Sequence, residues 1–211
     1  MLQLYNRERS GNCYKARLML ALLGLEYQKI AVHRVDKTRN ILPPDFEKLN
    51  PLRQLPVLVD AGKPYWGTVA ILVYLARKHG GESWLPLDAA GEAEVTQWLA
   101  LAQNEIFYGL GRARSMRALR WHGYGSLDEA HAIAQVALNA LDGRLAGHDW
   151  LVLDRLTIAD VACYSYTVFA PEGGISLKPY PAVRAWLARI GALPRYLAPP
   201  EYDGAGGPLV E

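Results

Sequence analysis

The first 80 residues alternate between short runs typical of β-strands and longer helical patterns. Leu2 and Leu4 open the chain, and a broadly apolar helix follows that Gly24 can end in a left-handed conformation. A β-favouring run over residues 27–32 comes next. The beginning of the chain therefore predicts a strand–helix–strand unit with parallel strands.

A second group of β-type residues lies between residues 54 and 66, where two apolar runs flank a turn and predict a hairpin. Pro56 cannot donate a ladder hydrogen bond, so it is expected at the start of a strand, with a cis peptide allowed there. Thr68 is predicted to cap the next helix, and the glycines at 80–81 to end it. The order is βαβ, a proline-containing loop over residues 33–51, then ββα.

Beyond residue 90 the pattern is helical throughout. Helices are predicted over residues 91–120, 126–146, 157–169 and 181–191, followed by an irregular tail. Gly109 and Gly111 are expected to weaken or kink the first of these helices, or to open space for a ligand. The fold class is thus α/β plus all-α, with domains at 1–80 and 91–211 and a linker at 81–90.

Composition adds limits on function. The 211 residues are 51% hydrophobic, and 23 basic residues against 21 acidic ones leave a net charge of +2. Such a balance argues against a nucleic-acid partner or a membrane-binding face. The densest basic run, from Arg112 to Arg120, has near-helical spacing and predicts a solvated face or a pocket rim.

No apolar stretch is long enough for a membrane span and no signal peptide is recognisable, so we expect a soluble, cytoplasmic protein. The two cysteines, Cys13 and Cys163, are too few for a disulfide framework or a zinc site, and both are expected to be reduced thiols. The five histidines show no metal-ligand spacing, so no metal is expected.

The turn between the first strand and the first helix has the residues most suited to chemistry. A helix that begins there directs its free N–H groups and positive dipole end at the turn, which suits an anion. Ser10, Asn12 and Cys13 place a hydroxyl, an amide and a thiol within one helical turn of that end. Ser and Asn are also common helix N-caps without any role in chemistry. The local pattern therefore leaves both capping and thiolate chemistry open.

Five segments in order resemble the cytosolic glutathione S-transferase family, in its bacterial serine- or cysteine-type form. They are SGNCYKAR (10–17), NPLRQLPVL (50–58), AILVYLA (70–76), LTIAD (156–160) and YPAVRAWL (180–187). The resemblance spans nearly the whole chain. It implies a thioredoxin-like domain, a helical domain, glutathione as co-substrate, an apolar co-substrate site and a homodimer.

The resemblance also implies roles for individual residues. Ser10 matches the hydroxyl that stabilises the glutathione thiolate, with Cys13 as the alternative through a mixed disulfide. The backbone of Leu55, before Pro56, matches the group that pairs with the cysteinyl part of glutathione. Further implied glutathione contacts are Asn12, Arg39, Gln54, Gly67 and Thr68, with Lys15 a weaker candidate. The co-substrate pocket is expected at Ile106, Phe107, Leu110 and Arg114.

The chain departs from the family pattern at three positions. Gly67 stands where the family usually has an acidic residue, directly before the hydroxyl residue that starts the next helix, here Thr68. The acidic partner for the γ-glutamyl ammonium group is therefore missing from this stretch. A lost charge-assisted hydrogen bond typically costs about 1.5 to 3 kcal/mol, so glutathione affinity is expected to be lowered. Arg53 and Leu153 stand where glycines are common.

Two functions remain after these observations. The first is an enzyme that transfers the glutathione thiolate to a small apolar electrophile, a peroxide or a disulfide. The second is a non-catalytic binding or interaction protein on the same scaffold, since a fold does not dictate an activity. The intact turn at residues 10–13 favours the enzyme, whereas Gly67 favours the binding protein.

Overall fold

A four-stranded mixed sheet forms the N-terminal part of the computed structural model, which describes residues 1–33, 42–121 and 125–200. The strands lie in the order β2-β1-β3-β4, with β1 parallel to β2 and antiparallel to β3, and β3 antiparallel to β4. The predicted thioredoxin-like arrangement is confirmed. The strands are β1 (Leu2–Asn6), β2 (Tyr27–Ala31), β3 (Val57–Asp60) and β4 (Lys63–Trp66).

The first helix, α1 (Gly11–Leu23), has the predicted ends. Ser10 is its N-cap, and Gly24 ends it with φ 67° in the left-handed region. Glycine adopts this conformation without the steric cost that a Cβ would add, which explains why the helix stops there. The Leu55–Pro56 peptide is cis, as expected from its place before β3.

The start of α2 (Thr68–Leu75) differs from the prediction. Its N-cap is Gly67 rather than Thr68, and no side chain makes a capping hydrogen bond. Gly67 has φ 81°, which favours glycine, so the chain turns from β4 into the helix at Gly67 and Thr68 already lies in the first turn. The helix continues as a π-helical turn over Ala76–Gly80.

Helices make up the C-terminal part of the described chain. They are α3 (Ala89–Gln103), a π-helical segment (Ile106–Gly111), α4 (Arg112–Arg117), α5 (Leu127–Leu145), α6 (Ile158–Val168) and α7 (Pro181–Gly191). Short 3-10 turns lie at Phe46–Lys48 and Ala170–Gly173. No helix among the described residues is long and apolar enough to cross a membrane.

The predicted single helix over residues 91–120 is three successive segments: α3 ends at Gln103, and Gly109 and Gly111 lie in the π-helical segment that follows. A Cβ on Gly109 would lie 2.4 Å from the backbone nitrogen of Ala134. The missing side chain therefore allows α5 to approach the π-helical segment closely, which is a packing reason for this glycine.

The helical domain is tied together by a buried capping box at the start of α6. Asp160 accepts hydrogen bonds from the backbone N–H groups of Thr157 (2.9 Å) and Leu151 (3.1 Å), and from the indole N–H of Trp186 (3.0 Å). Asp160, Thr157 and Trp186 are fully buried. Burial raises the pKa of Asp160 to about 6, although these hydrogen bonds oppose the rise. One carboxylate thus joins α6, α7 and the loop before α6.

Candidate functional site

A cleft of about 320 Å³ lies where the β1–α1 turn, the loop before β3 and α4 meet. Both domains supply its walls, so neither half of the chain forms it alone. From the N-terminal domain it is lined by Arg7, Arg9, Ser10, Gly11, Asn12, Arg53, Gln54 and Leu55. From the helical domain it is lined by Phe107, Gly111, Arg112, Arg114, Ser115, Leu119, Trp121 and Tyr166.

Ser10 combines the two roles that its sequence context left open. Its hydroxyl oxygen accepts a hydrogen bond from the Cys13 backbone N–H at 3.2 Å, which caps α1, and the residue also lines the cleft. The Ser10 hydroxyl has one proton, which it can donate either to the Cys13 sulfur or to a ligand in the cleft. At the positive end of α1, such a donor suits a negatively charged ligand atom.

Cys13, the alternative thiol, lies in the protein interior. It is fully buried, it does not line the cleft, and its sulfur accepts a hydrogen bond from the Arg7 backbone N–H at 3.4 Å. Burial raises the pKa of the Cys13 thiol, and the hydrogen bonds from Ser10 and Arg7 do not cancel that effect. A buried, protonated thiol is poorly placed for a mixed disulfide.

The side-chain amide of Asn12 offers an acceptor to a ligand. Its Oδ1 atom is buried and has no hydrogen-bond partner, while the residue lines the cleft. An unsatisfied buried acceptor typically costs about 1 to 3 kcal/mol, which a ligand N–H or ammonium group would recover. Glutathione has both kinds of donor, so the described residues fit it at this point.

The other implied glutathione residues divide into three groups. Gln54 and Leu55 line the cleft, and Asn50 fixes their loop because its side chain donates to the Gln54 carbonyl at 2.8 Å. Gly67 and Thr68 lie outside the cleft lining. Arg39 lies outside the described residues.

Of the four residues predicted for the co-substrate pocket, two line the cleft and two do not. Phe107 and Arg114 line the cleft, whereas Ile106 and Leu110 are fully buried and belong to the core. The π-helical turn that contains Ile106 and Leu110 packs against α5, so these two side chains belong to the core of the helical domain and not to the cleft.

Arg114 joins the two domains beside the cleft. Its Nε donates to Glu172 at 2.7 Å and its Nη1 donates to the Arg9 carbonyl at 3.0 Å. Its guanidinium also lies 3.7 Å from the ring centroid of Phe169. With only 2% of its surface exposed, Arg114 orients the β1–α1 turn relative to α4.

Tyr166 is a cleft residue that the sequence did not reveal. Its ring lies directly over the start of α1, where a Cβ on Gly11 would be 2.5 Å from it. The Asn12 backbone N–H donates to its hydroxyl, and burial raises its pKa to about 12, so the phenol stays protonated at neutral pH. Lys15 lies 5.1 Å from the ring centroid and is buried outside the cleft.

The cleft is more basic and aromatic than the expected apolar pocket. Among its described lining residues five are arginines and none is acidic. Arg7 lies 5.4 Å from the ring centroid of Trp121, and Arg112 lies 4.3 Å from that of Tyr108. These arginines come from separate parts of the chain, so the overall charge of +2 gave no sign of their convergence. Among the described residues, no group of three or more His, Cys, Asp or Glu is placed to hold a metal.

Fold and cleft together define a two-domain protein with a thioredoxin-like half and a helical half. The model of the glutathione S-transferase N-terminal domain matches residues 9–78, and that of the C-terminal domain matches residues 125–194. The chain belongs to the glutathione S-transferase family of enzymes.

Similar proteins cover almost the full length of the chain. A structure from Rhodopseudomonas palustris described as a possible glutathione S-transferase is 33% identical, with a TM-score of 0.82 over 93% of this chain and 97% of that one. The glutathione S-transferase structure from Pseudomonas fluorescens is 32% identical, with a TM-score of 0.83 over 93% and 98% of the chains. Glutathione S-transferase D6 of Drosophila melanogaster is 26% identical over 93% of this chain and 97% of its own.

Proposed function

We propose that this protein is a serine-type glutathione transferase in which Ser10 stabilises the thiolate of bound glutathione. The observation that supports the proposal most is the position of Ser10, which caps α1 and faces the cleft at once. The buried position of Cys13 supports Ser10 over the cysteine alternative.

The chemistry follows from the local electrostatics. A free thiol has a pKa of about 8.5 and is mostly protonated at neutral pH. The Ser10 O–H and the positive end of α1 both favour the thiolate, and each unit by which they lower the thiol pKa corresponds to about 1.4 kcal/mol. The thiol proton leaves to solvent, and the thiolate then attacks an electrophile held against the helical domain.

The proposed glutathione contacts use the groups around that thiolate. The Leu55 backbone pairs with the cysteinyl residue in a strand-like manner, and Gln54 together with Arg39 contacts the carboxylates. Thr68 and the α2 N-terminus hold the γ-glutamyl carboxylate, and Asn12 accepts from a ligand N–H. Gly67 provides no carboxylate for the ammonium group.

A test of Ser10 measures the pKa of bound glutathione from the ultraviolet absorbance of its thiolate as a function of pH. We expect Ser10→Ala to raise that pKa by about one unit or more and to lower turnover at neutral pH by about 10-fold or more. Ser126 is a matched control, because it caps α5 through the Glu129 N–H at 3.0 Å and lies outside the cleft. Ser126→Ala should leave the thiol pKa unchanged, and an unchanged pKa in Ser10→Ala would refute the proposal.

The non-catalytic alternative is tested through Gly67, where a Cβ would meet nothing within 4 Å. Calorimetry should detect glutathione binding by the native chain. Gly67→Glu should bind glutathione more tightly than Gly67→Ala does. The alanine variant is the control, because both side chains impose the same backbone strain at φ 81°. Binding that appears only in Gly67→Glu would indicate a scaffold used for another ligand.

We further propose that the protein is a cytoplasmic homodimer. Leu52 and Trp66 are large apolar side chains that remain 59% and 42% exposed on the N-terminal domain, as expected for residues that a partner covers. Light scattering after size-exclusion chromatography measures the mass, and a monomer at micromolar concentration would contradict this proposal.

A further inference from the structure

The ring of Tyr166 packs against two glycines, one from each domain. A Cβ on Gly11 would lie 2.5 Å from the ring, and a Cβ on Gly111 would lie 3.3 Å from it. Both distances are shorter than the separation of about 3.5 Å or more that carbon atoms prefer. The missing side chains therefore make room for the ring, and the position of the ring fixes that of its hydroxyl.

Other contacts hold α6 and this ring against the start of α1. The buried Ser165 hydroxyl donates to the Gly11 carbonyl at 2.9 Å. The Phe107 ring meets the Tyr166 ring edge to face, with 5.8 Å between the centroids. Tyr166 thus has a defined place, and it lines the cleft with 7% of its surface exposed.

The Tyr166 hydroxyl has a proton to offer to a ligand. Its oxygen accepts a hydrogen bond from the Asn12 backbone N–H, in the first turn of α1. A phenol that accepts such a bond still has its own O–H to donate. In the described part of the chain no residue accepts a hydrogen bond from this O–H, so it is left for a group in the cleft.

The Ser10 hydroxyl differs from that of Tyr166 in this respect. It accepts from the Cys13 backbone N–H at 3.2 Å, and its single proton has the Cys13 sulfur as an alternative acceptor. The amides of Asn12 and Cys13 are consecutive along the chain, so the two hydroxyls that accept from them lie at the same positive end of α1. The proposed thiolate site therefore has two hydroxyls beside it.

The surroundings of Tyr166 keep its phenol protonated. Burial raises its pKa to about 12, and the charges of Arg114 and Arg7 oppose that rise while the Cys13 thiol adds to it. The Lys15 ammonium group lies 5.1 Å from the ring centroid. A thiol titrates well below pH 12, so Tyr166 remains a hydrogen-bond donor over the whole range in which glutathione ionises.

We propose that Tyr166 is a second catalytic hydrogen-bond donor, whose hydroxyl donates to the glutathione thiolate beside Ser10. The inference rests on the proposed function, since it adds a residue to the same thiolate site. The thiol proton leaves to solvent and Tyr166 keeps its own proton, so no proton passes between the phenol and the sulfur. Because Ser10 begins α1 and Tyr166 lies on α6, each domain supplies one donor to the thiolate.

The test titrates the thiol of glutathione bound to Tyr166→Phe, using the ultraviolet absorbance of the thiolate after subtraction of the spectrum of the free protein. Phenylalanine keeps the ring packing and removes only the hydroxyl. We expect the pKa of the bound thiol to rise by about one unit or more, as after loss of a hydrogen bond to a charged group. Turnover at neutral pH should fall by about 10-fold or more.

Tyr164→Phe is the matched control on the same helix. Its hydroxyl is paired with that of Tyr196 at 2.7 Å, and it lies outside the cleft lining. Urea titrations should show both variants to be less stable than the wild type, because each leaves a polar group without its partner. Only Tyr166→Phe should change the thiol pKa. Lowered stability of Tyr166→Phe with an unchanged thiol pKa would overturn the proposal.

The outcomes for the two hydroxyls are separable. If Ser10→Ala raises the thiol pKa and Tyr166→Phe does not, the proposed function stands and this inference fails. If only Tyr166→Phe raises it, the inference stands and the role of Ser10 fails. We expect the double variant to exceed either single variant. Absence of glutathione binding by the native chain would overturn both proposals.

A fluorinated tyrosine tests the strength of the donor with the hydroxyl still in place. This variant has 3-fluorotyrosine at position 166 alone, and it decides the question if Tyr166→Phe does not fold. Fluorine makes the phenol more acidic, so the O–H donates a stronger hydrogen bond. The pKa of the bound thiol should therefore fall below the wild-type value. An unchanged or higher thiol pKa would contradict the donor role.

Discussion

Two hydroxyl caps begin helices that meet near the cleft, and they have different surroundings. Ser10 starts α1 and Thr157 starts α6, and each accepts a hydrogen bond from an early backbone N–H of its helix. Ser10 is 9% exposed and lines the cleft, whereas Thr157 is fully buried beneath Trp186 and Asp160. A hydroxyl cap therefore lines a cleft on one helix and lies in a packed core on the other.

A capping hydroxyl can act on a ligand only where it reaches a cleft and its proton is able to turn toward that ligand. At Thr157 a protein atom takes that proton: the hydroxyl donates to Asp160 at 3.2 Å. Substitutions at the two helix starts should therefore separate stability from chemistry.

The largest effect is expected from Asp160→Ala. Removing the carboxylate leaves the buried N–H groups of Thr157, Leu151 and Trp186 without their partner. We expect the free energy of unfolding to fall by about 3 to 5 kcal/mol in urea titrations. Asp128→Ala, at an exposed position in the first turn of α5, should change it by only about 0.5 kcal/mol. Unchanged stability with lowered turnover would contradict the structural role.

The pH dependence of stability should report the same carboxyl group. Its pKa is raised to about 6 in the folded protein, above the ordinary aspartate value of 3.8, so the folded state binds the proton more tightly than the unfolded state. The contribution of Asp160 is therefore most favourable below pH 3.8 and is lost as the pH rises to about 6.

The measurement for this prediction is the difference in unfolding free energy between the wild type and Asp160→Asn from pH 4 to 7. The free energy of unfolding of the wild type minus that of Asp160→Asn should decrease as the pH rises, by up to about 1.4 kcal/mol per pH unit. It should level off above pH 6. A difference that grows with pH over this range would show that the pKa is lowered instead.

The start of α1 itself is probed by Gly11→Ala, because a methyl group there would contact the Tyr166 ring at 2.5 Å. We expect a loss of about 1 to 3 kcal/mol in unfolding free energy, as for other overpacked sites, together with lower turnover. Gly143→Ala in α5 is the control, since its Cβ meets nothing within 4 Å. It should gain up to about 1 kcal/mol from helix propensity alone.

The smallest effect is expected at Arg53, which has φ 53° in the left-handed region where the family commonly has glycine. Leu153, the other position of this kind, has φ 58°. Both residues thus have a backbone conformation that glycine adopts at lower cost. Thermal unfolding should show Arg53→Gly to be about 1 kcal/mol more stable than Arg53→Ala. Both variants lose the ion pair with Glu47, but only the alanine variant keeps the backbone strain. Equal stability of the two variants would contradict this explanation.

Short-range signals predicted much of the fold. The stop at Gly24, the cis peptide before Pro56, the Thr157–Asp160 box and Pro181 in the first turn of α7 all appear in the structure. The errors also have local causes. Thr68 has the right side chain for a cap, but the positive φ of Gly67 moves the helix start by one residue.

The cleft was predicted less completely. Ser10, Asn12, Gln54 and Leu55 lie in it because they belong to two contiguous segments with recognisable patterns. Tyr166, Arg7 and Trp121 were missed because nothing in their own neighbourhoods distinguishes them from core or surface residues. Ile106 and Leu110 are buried outside the cleft lining, because side-chain directions in a π-helical turn differ from those of the 3.6-residue period.

The sequence by itself determined the order of strands and helices, most of their ends and the family to which the chain belongs. Those properties depend on backbone conformation and on hydrogen bonds between residues a few positions apart. Only the tertiary structure decided that Ser10 lines the cleft while Cys13 and Thr157 are enclosed, and that five arginines of the described chain line that cleft. Exposure and electric field depend on groups from distant parts of the chain, and folding alone brings those groups together.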